Sequence, residues 1–203
     1  MRVRVATGVL CFFVASCGPR AVELGFWVEP VSFSSPRIGA PISADELKTI
    51  EDVARSEIIH AFRAFDATVT SNRSARFKVR VVQRLSDTRM VRQMDVAGES
   101  RGMSGFGGSG AVSFDFVANA AMVFSPEDAD RSTVLRALGR GMGRVAVHEF
   151  AHQLLPNATV DDNRDPNSYE YDTASQVQYF GDMHWNSSAR ALGERLAPRR
   201  GSP

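Results

Sequence analysis

The sequence predicts an α+β domain in which a small antiparallel or mixed sheet lies beside one long buried helix. Three observations carry that expectation. Ser43-Ala44-Asp45-Glu46 is a capping box that opens an amphipathic helix. Phe77, Val79 and Val81 alternate with Lys78 and Arg80, the pattern of a half-buried strand. A helical, mostly apolar stretch then runs to Leu155, where Pro156 stops it. With 203 residues, 43% of them hydrophobic and 23% charged, the chain is long enough for a single domain with a real core. Its 24 basic and 23 acidic residues nearly cancel, so no positive field recruits nucleic acid, which is not an expected partner.

The N-terminus reads as a secretory signal. Arg2 and Arg4 precede an apolar run from Val5 to Ala15, shorter than the roughly 18 residues a spanning helix needs. Val14-Ala15-Ser16-Cys17 resembles the bacterial lipobox, in which the cysteine is acylated and becomes the first residue of the mature chain. The expectation is a signal peptide over 1–16 and a membrane anchor through lipid on Cys17, placing the protein in the bacterial cell envelope. Gly18 after the cysteine favours the periplasmic side of an outer membrane where the cell has one. A plain signal cut near the same place, with simple export, is the alternative. Cys11 lies inside the signal, so Cys17 has no disulfide partner and the mature fold must hold by packing. Removing Arg2 and Arg4 leaves 22 basic against 23 acidic residues, a net charge of −1.

Residues 17–42 are expected to form a tether and N-terminal segment, since Pro19, Pro30, Pro36 and Pro41 recur with Ser32, Ser34 and Ser35. Within it Val22, Leu24, Phe26 and Val28 alternate as a short strand would. The helix after Ser43 carries apolar residues at 47, 50, 54, 58, 61 and 65, which gives it about two dozen residues. Its His60 stands among apolar neighbours and reads as structural rather than ligating. The glycine-rich stretch from Gly98 to Gly110 matches a dinucleotide pattern literally, but a strand rather than a helix follows it. It is therefore expected to be a mobile loop or flap, and Val112 to Phe124 one bent strand or two. Ser125-Pro126-Glu127-Asp128 looks like a helix start, with the helix loosened at Gly139, Gly141 and Gly143 before it resumes to Leu155. Further helices are expected from Asn167 or Ser168 and from about His184 to Leu196, with residues 199–203 frayed.

The chemistry concentrates in His148-Glu149-Phe150-Ala151-His152. On a helix, positions i and i+4 share a face, so both imidazoles can bind one Zn2+. The glutamate beside the first histidine then reaches the water on the metal, where Glu149 acts as general base. Val145, Val147, Phe150, Ala151 and Leu154 would bury this helix and hold the ligands rigidly. The bland alternative is a core helix with two satisfied histidines.

A hydrolytic zinc site needs a third protein ligand. The extended motif with a glycine and a third histidine fails, because Leu155 and Ala158 stand at those places. Asp161 lies nine residues past His152, just beyond the helix break, with Asp162 as its neighbour and fallback. Glu170 lies eighteen past, near the spacing of the gluzincin group, and His184 lies thirty-two past. Against these stand ordinary roles: Asp161 and Asp162 as turn residues, and Asn167 with Glu170 as a capping box.

Ala158-Thr159-Val160-Asp161 resembles the GTxD element of the aspzincins, the deuterolysins and peptidyl-lysine metalloendopeptidases, and Ser168-Tyr169-Glu170-Tyr171 resembles the SYEY segment that follows in many of them. The resemblance covers about 148–171. It implies a zincin-like metalloprotease domain over 43–198 and makes Asp161 the third zinc ligand. Arg164 and Asp165 occupy the place of the family's Tyr-Gly, so the oxyanion-steadying tyrosine is missing from its position. Tyr169, Tyr171 or His184 would then be the substitute donor, and Glu170 a substrate contact. The expected function is a zinc-dependent endopeptidase of the cell envelope acting on peptide or protein substrates. The alternative of another class is a non-catalytic zincin-like binding or scaffold lipoprotein.

Overall fold

Alternation in the sequence becomes one mixed sheet. β1 (Val22–Val28), β2 (Ala67–Thr70), β3 (Phe77–Val82) and β5 (Gly107–Ser113) run parallel, and β4 (Gly98–Met103) pairs antiparallel with β5 at the edge, in the order β2-β1-β3-β5-β4. The helices are α1 (Ala44–Ala61), α2 (Phe114–Phe124), α3 (Arg131–Leu154), α4 (Gln176–Phe180) and α5 (Ser188–Arg195). This computed structural model describes residues 21–85, 97–103, 105–155, 160–161 and 164–196. Residues 1–16, where a signal peptide is expected, Cys17, Ala158, Thr159, Asp162 and the tail lie outside the described residues.

The core lies between the sheet and the two long helices. Leu24, Phe26, Phe77, Val79, Val81 and Val112 are buried on one face, while Arg80 and Ser109 are exposed on the other. β1 sits between β2 and β3, so residues 22–28 are part of the sheet and the folded unit begins ahead of position 43. A leucine and a phenylalanine with no exposed surface explain why the segment cannot stay in a solvated tether.

α1 starts as expected, with the Ser43 hydroxyl and the Glu46 carboxylate closing a reciprocal cap. It ends earlier than its apolar spacing suggests. Phe62 leaves the helix, and its ring meets Phe65 and Phe150 edge-on, at centroid distances of 6.4 and 6.3 Å, so this apolar pair closes a turn instead of another helical turn. α3 also starts later than expected, at Arg131, because Asp130 rather than Ser125 supplies the cap, accepting from Thr133 N.

The glycines of α3 do not loosen it; the helix is continuous over 24 residues. A Cβ on Gly139 would stand 2.8 Å from the Ile50 carbonyl oxygen, and one on Gly143 2.5 Å from that of Ala54. The glycines thus let α1 and α3 pack backbone to backbone, side by side and parallel. Arg131 fixes their starts, with Nε 2.7 Å from a Glu46 carboxylate oxygen.

Three further expectations are corrected. Gly98 to Gly110 forms the strands of the β4–β5 hairpin and not a free loop, because its small residues let β5 lie close under its neighbours. Val112 to Phe124 is the end of β5 followed by α2, since Ser113 caps a helix by accepting from Phe116 N, and Phe114, Val117, Ala118 and Ala121 fall on one helical face. No helix begins at Asn167 or Ser168: that stretch is a turn, bridged at Ser168 to His184, and the last helix starts at Ser188.

Candidate metal centre

Burial of α3 is what makes its polar residues rigid. Val145, Val147, Phe150, Ala151 and Leu154 are all buried, so the turn that carries His148, Glu149 and His152 is held from below. Both imidazoles turn the same way, with Nε2 of His148 and Nε2 of His152 3.1 Å apart. On its other side, Nδ1 of His148 lies 2.9 Å from the Tyr169 carbonyl oxygen, which sets the ring's orientation and tautomer.

Asp161 closes the triangle. Its Oδ1 lies 3.0 Å from His148 Nε2 and 3.3 Å from His152 Nε2. Zinc bonds of about 2.0–2.2 Å at tetrahedral angles place donor atoms roughly 3.3 Å from one another. The three donors therefore have the spacing of three ligands around one metal ion, and among the described residues they are the group that could hold one. Lone pairs at such distances repel unless a cation, a proton or a metal, lies between them. The chain accepts strain to bring the carboxylate there: Asp161 has φ 99°, the one positive φ outside glycine among the described residues.

The electrostatics follow the same contacts. Burial works against charging His148, but its hydrogen bond to Asp161, the Glu149 charge and the Tyr169 carbonyl prevail and raise its pKa. Burial and the neighbouring His148 lower that of His152. Asp161 is held below the usual carboxylate range because the two imidazoles outweigh its partial burial. Glu149 is 4% exposed, and burial pushes it up to about 7 despite His148 and Ser100.

A cleft of about 1130 Å³ opens over these groups. β4 forms one wall through Gly98 to Arg101, and Tyr169, Tyr171, Ala174, Gln178 and Met183 form the other. Tyr169 and Tyr171 therefore both line the cleft, although Tyr169 is largely buried, with its ring 5.1 Å from that of Trp185.

Glu170 and His184 are elsewhere. Glu170 is fully buried and accepts from Ser168 Oγ, Ser187 N, Ser187 Oγ and Ser188 N, holding the first turn of α5. It stands outside the donor triangle and outside the lining of the cleft. His184 is half exposed and pairs with Asp165 at 3.3 Å, while its backbone bonds bridge Asn167 and Tyr169. His60 is also exposed, against Arg63.

Sequence reasoning missed the support around Glu149. The Ser100 hydroxyl donates to the Glu149 carbonyl at 3.0 Å and accepts from Gln153 Nε2 at 3.2 Å. Gln153 also exchanges bonds with the Lys78 backbone at 3.1 and 3.2 Å, fastening α3 to β3. The alternation of small residues at 98 and 100 was the available signal, hidden because the stretch reads as a glycine loop. Comparison of the chain with protein-family models, with curated proteins and with solved structures found no match.

Proposed function

We propose that this chain is a zinc-dependent endopeptidase, zincin-like in its active helix and anchored in the bacterial cell envelope by lipid on Cys17. The observation that carries the reading is the triangle of His148 Nε2, His152 Nε2 and Asp161 Oδ1, with sides of 3.0, 3.1 and 3.3 Å, beside the buried carboxylate of Glu149. When bound, zinc would supply Lewis acidity, polarising a scissile carbonyl and lowering the pKa of its water to about 7.

The chain's own residues would do the rest. His148 and His152 present neutral nitrogens, the first kept in one tautomer by the Tyr169 carbonyl. Asp161 would complete the donor set with one negative charge. Glu149 takes a proton from water and passes it to the leaving amine, a role suited to a carboxylate whose burial raises its pKa. The cleft wall of β4 lies at the sheet's edge, where an extended peptide can add as a further strand.

The test is elemental analysis joined to a peptidase assay. One zinc per chain, retained in Glu149→Gln while cleavage of a denatured protein substrate is lost, is the expected result. A chain that purifies without zinc and takes none up overturns the reading. If the native chain and Glu149→Gln both hold zinc and neither cleaves, the protein is a binding module.

A further inference from the structure

We infer that the rim of the domain where β1 begins is a membrane-contact surface, seated on anionic phospholipid headgroups with Phe106 at their level. This rests on the lipid-anchor reading of Cys17.

The topology gathers several ends at that rim. Leu24, Phe77 and Gly108 stand level across β1, β3 and β5, and Val22 pairs with Ala67, so the four parallel strands start together. α1 ends there too, because Val22 N donates to the carbonyl of Asp66, just past the helix, at 2.9 Å. The β4–β5 turn is tied to the last turn of α3, with Gly105 N donating to the Gln153 carbonyl at 2.7 Å.

At the tip of that turn Phe106 is 66% exposed. Two basic groups flank its turn. Arg76 donates from Nε to the Phe106 carbonyl, and the Arg195 guanidinium lies where a Cβ on Gly105 would be 2.6 Å away. Arg63, past the end of α1, is exposed on the same rim. Among the described residues, carboxylates on this side include Asp66, which is half-buried, Glu194, 3.8 Å from Arg190, and Asp161, which is held by the two histidines. An exposed aromatic ring on a turn flanked by two guanidinium groups suits a bilayer interface, where rings settle at headgroup level and cations meet anionic lipid.

The anchor delivers this rim to the bilayer. Cys17 precedes Val22 by five residues, which span at most about 18 Å. From β1 to β5 is two strand spacings, about 10 Å. Acyl chains on Cys17 would therefore hold the start of β1, and Phe106 with it, at the lipid surface.

The experiment uses the acylated full chain, purified from a bacterium and reconstituted into vesicles of phosphatidylcholine and phosphatidylglycerol. Phe106→Cys and Val123→Cys each carry an environment-sensitive fluorophore. Val123 is the control: it is 76% exposed but lies at the opposite end, where Arg37 donates to the Met122 and Ser125 carbonyls. The acyl group on Cys17 leaves one thiol to label.

The expected result is blue-shifted emission at position 106, quenched several-fold more by headgroup-level spin-labelled lipid than emission at position 123. The shift should shrink in the Arg76→Glu, Arg195→Glu chain and on phosphatidylcholine alone. Equal, water-like emission at both positions on acylated, vesicle-bound protein overturns the rim and leaves the anchor standing. An undiminished shift on phosphatidylcholine alone overturns the anionic partner. A mature N-terminal peptide whose mass lacks the lipid overturns the anchor and the rim together.

Discussion

Gly98 lies directly against Glu149: a Cβ at position 98 would stand 2.4 Å from the glutamate Oε1 and 2.8 Å from Cγ1 of Val145. The edge strand thus touches the residue proposed as general base, and only a glycine leaves that carboxylate its place. Gly98→Ala is expected to keep zinc at one equivalent while lowering kcat about 100-fold, the effect of displacing a catalytic group by roughly 1 Å. Steady-state kinetics beside metal analysis would check it; an unchanged kcat removes the proposed contact from the mechanism.

Removing a proton acceptor differs from removing a ligand. Glu149→Gln is expected to cost about 10² to 10⁴ in kcat with zinc retained. Asp161→Ala is expected to weaken zinc by more than about 100-fold, beyond the usual effect of an outer-shell change. Competition with a chromophoric chelator reads both. His184→Ala, remote from the triangle and paired with Asp165, should bind zinc as the unaltered chain does.

Glu170 gives the complementary case. Four donors converge on a fully buried carboxylate, so Glu170→Gln leaves several of them mismatched. A loss of about 1–3 kcal/mol in unfolding free energy is expected, with zinc affinity nearly intact. Denaturant titration measures the first; a collapse of zinc binding at full folding would instead make Glu170 part of the metal site.

Acid should weaken the join between α1 and α3. The Arg131 guanidinium and the cap at Ser43 hold the Glu46 carboxyl down at about 2, against 4.5 unperturbed. A depressed folded pKa contributes stability that is present above about pH 4.5 and is lost as pH falls towards 2. Glu46→Gln should flatten this limb of the stability curve between those values. An acid limb identical in the two chains refutes the linkage.

Gly143→Ala tests the helix contact. The added methyl would meet the Ala54 carbonyl oxygen at 2.5 Å in a packed interior, so a cost of about 1–3 kcal/mol and a lower Tm are expected despite alanine's better helix propensity. A higher Tm would mean that the helices can part cheaply.

What the sequence disclosed was local and periodic. Ser43 and Glu46 announce α1 because the cap bonds lie within four residues, and His148 and His152 share a face because the helix repeats that way. Val112 to Phe124 is apolar except at Ser113, Asp115 and Asn119, too little polarity to set a period, so strand and helix were equally served until Ser113 Oγ accepted from Phe116 N. Glu170 showed carboxylate and spacing but not most of its partners, which arrive from seventeen and eighteen residues later. Gly139 and Gly143 looked like weak points because their neighbours, Ile50 and Ala54, belong to another helix.

The unusual backbone at Asp161 carries an evolutionary consequence. Glycine would relax there, and the apo fold would gain stability by about 1 kcal/mol while giving up a donor. On the proposed zinc-peptidase reading, any copy of this gene released from selection for hydrolysis thus has a downhill route to losing its metal site. Inactive descendants are expected to betray themselves first at position 161, with both histidines still in place.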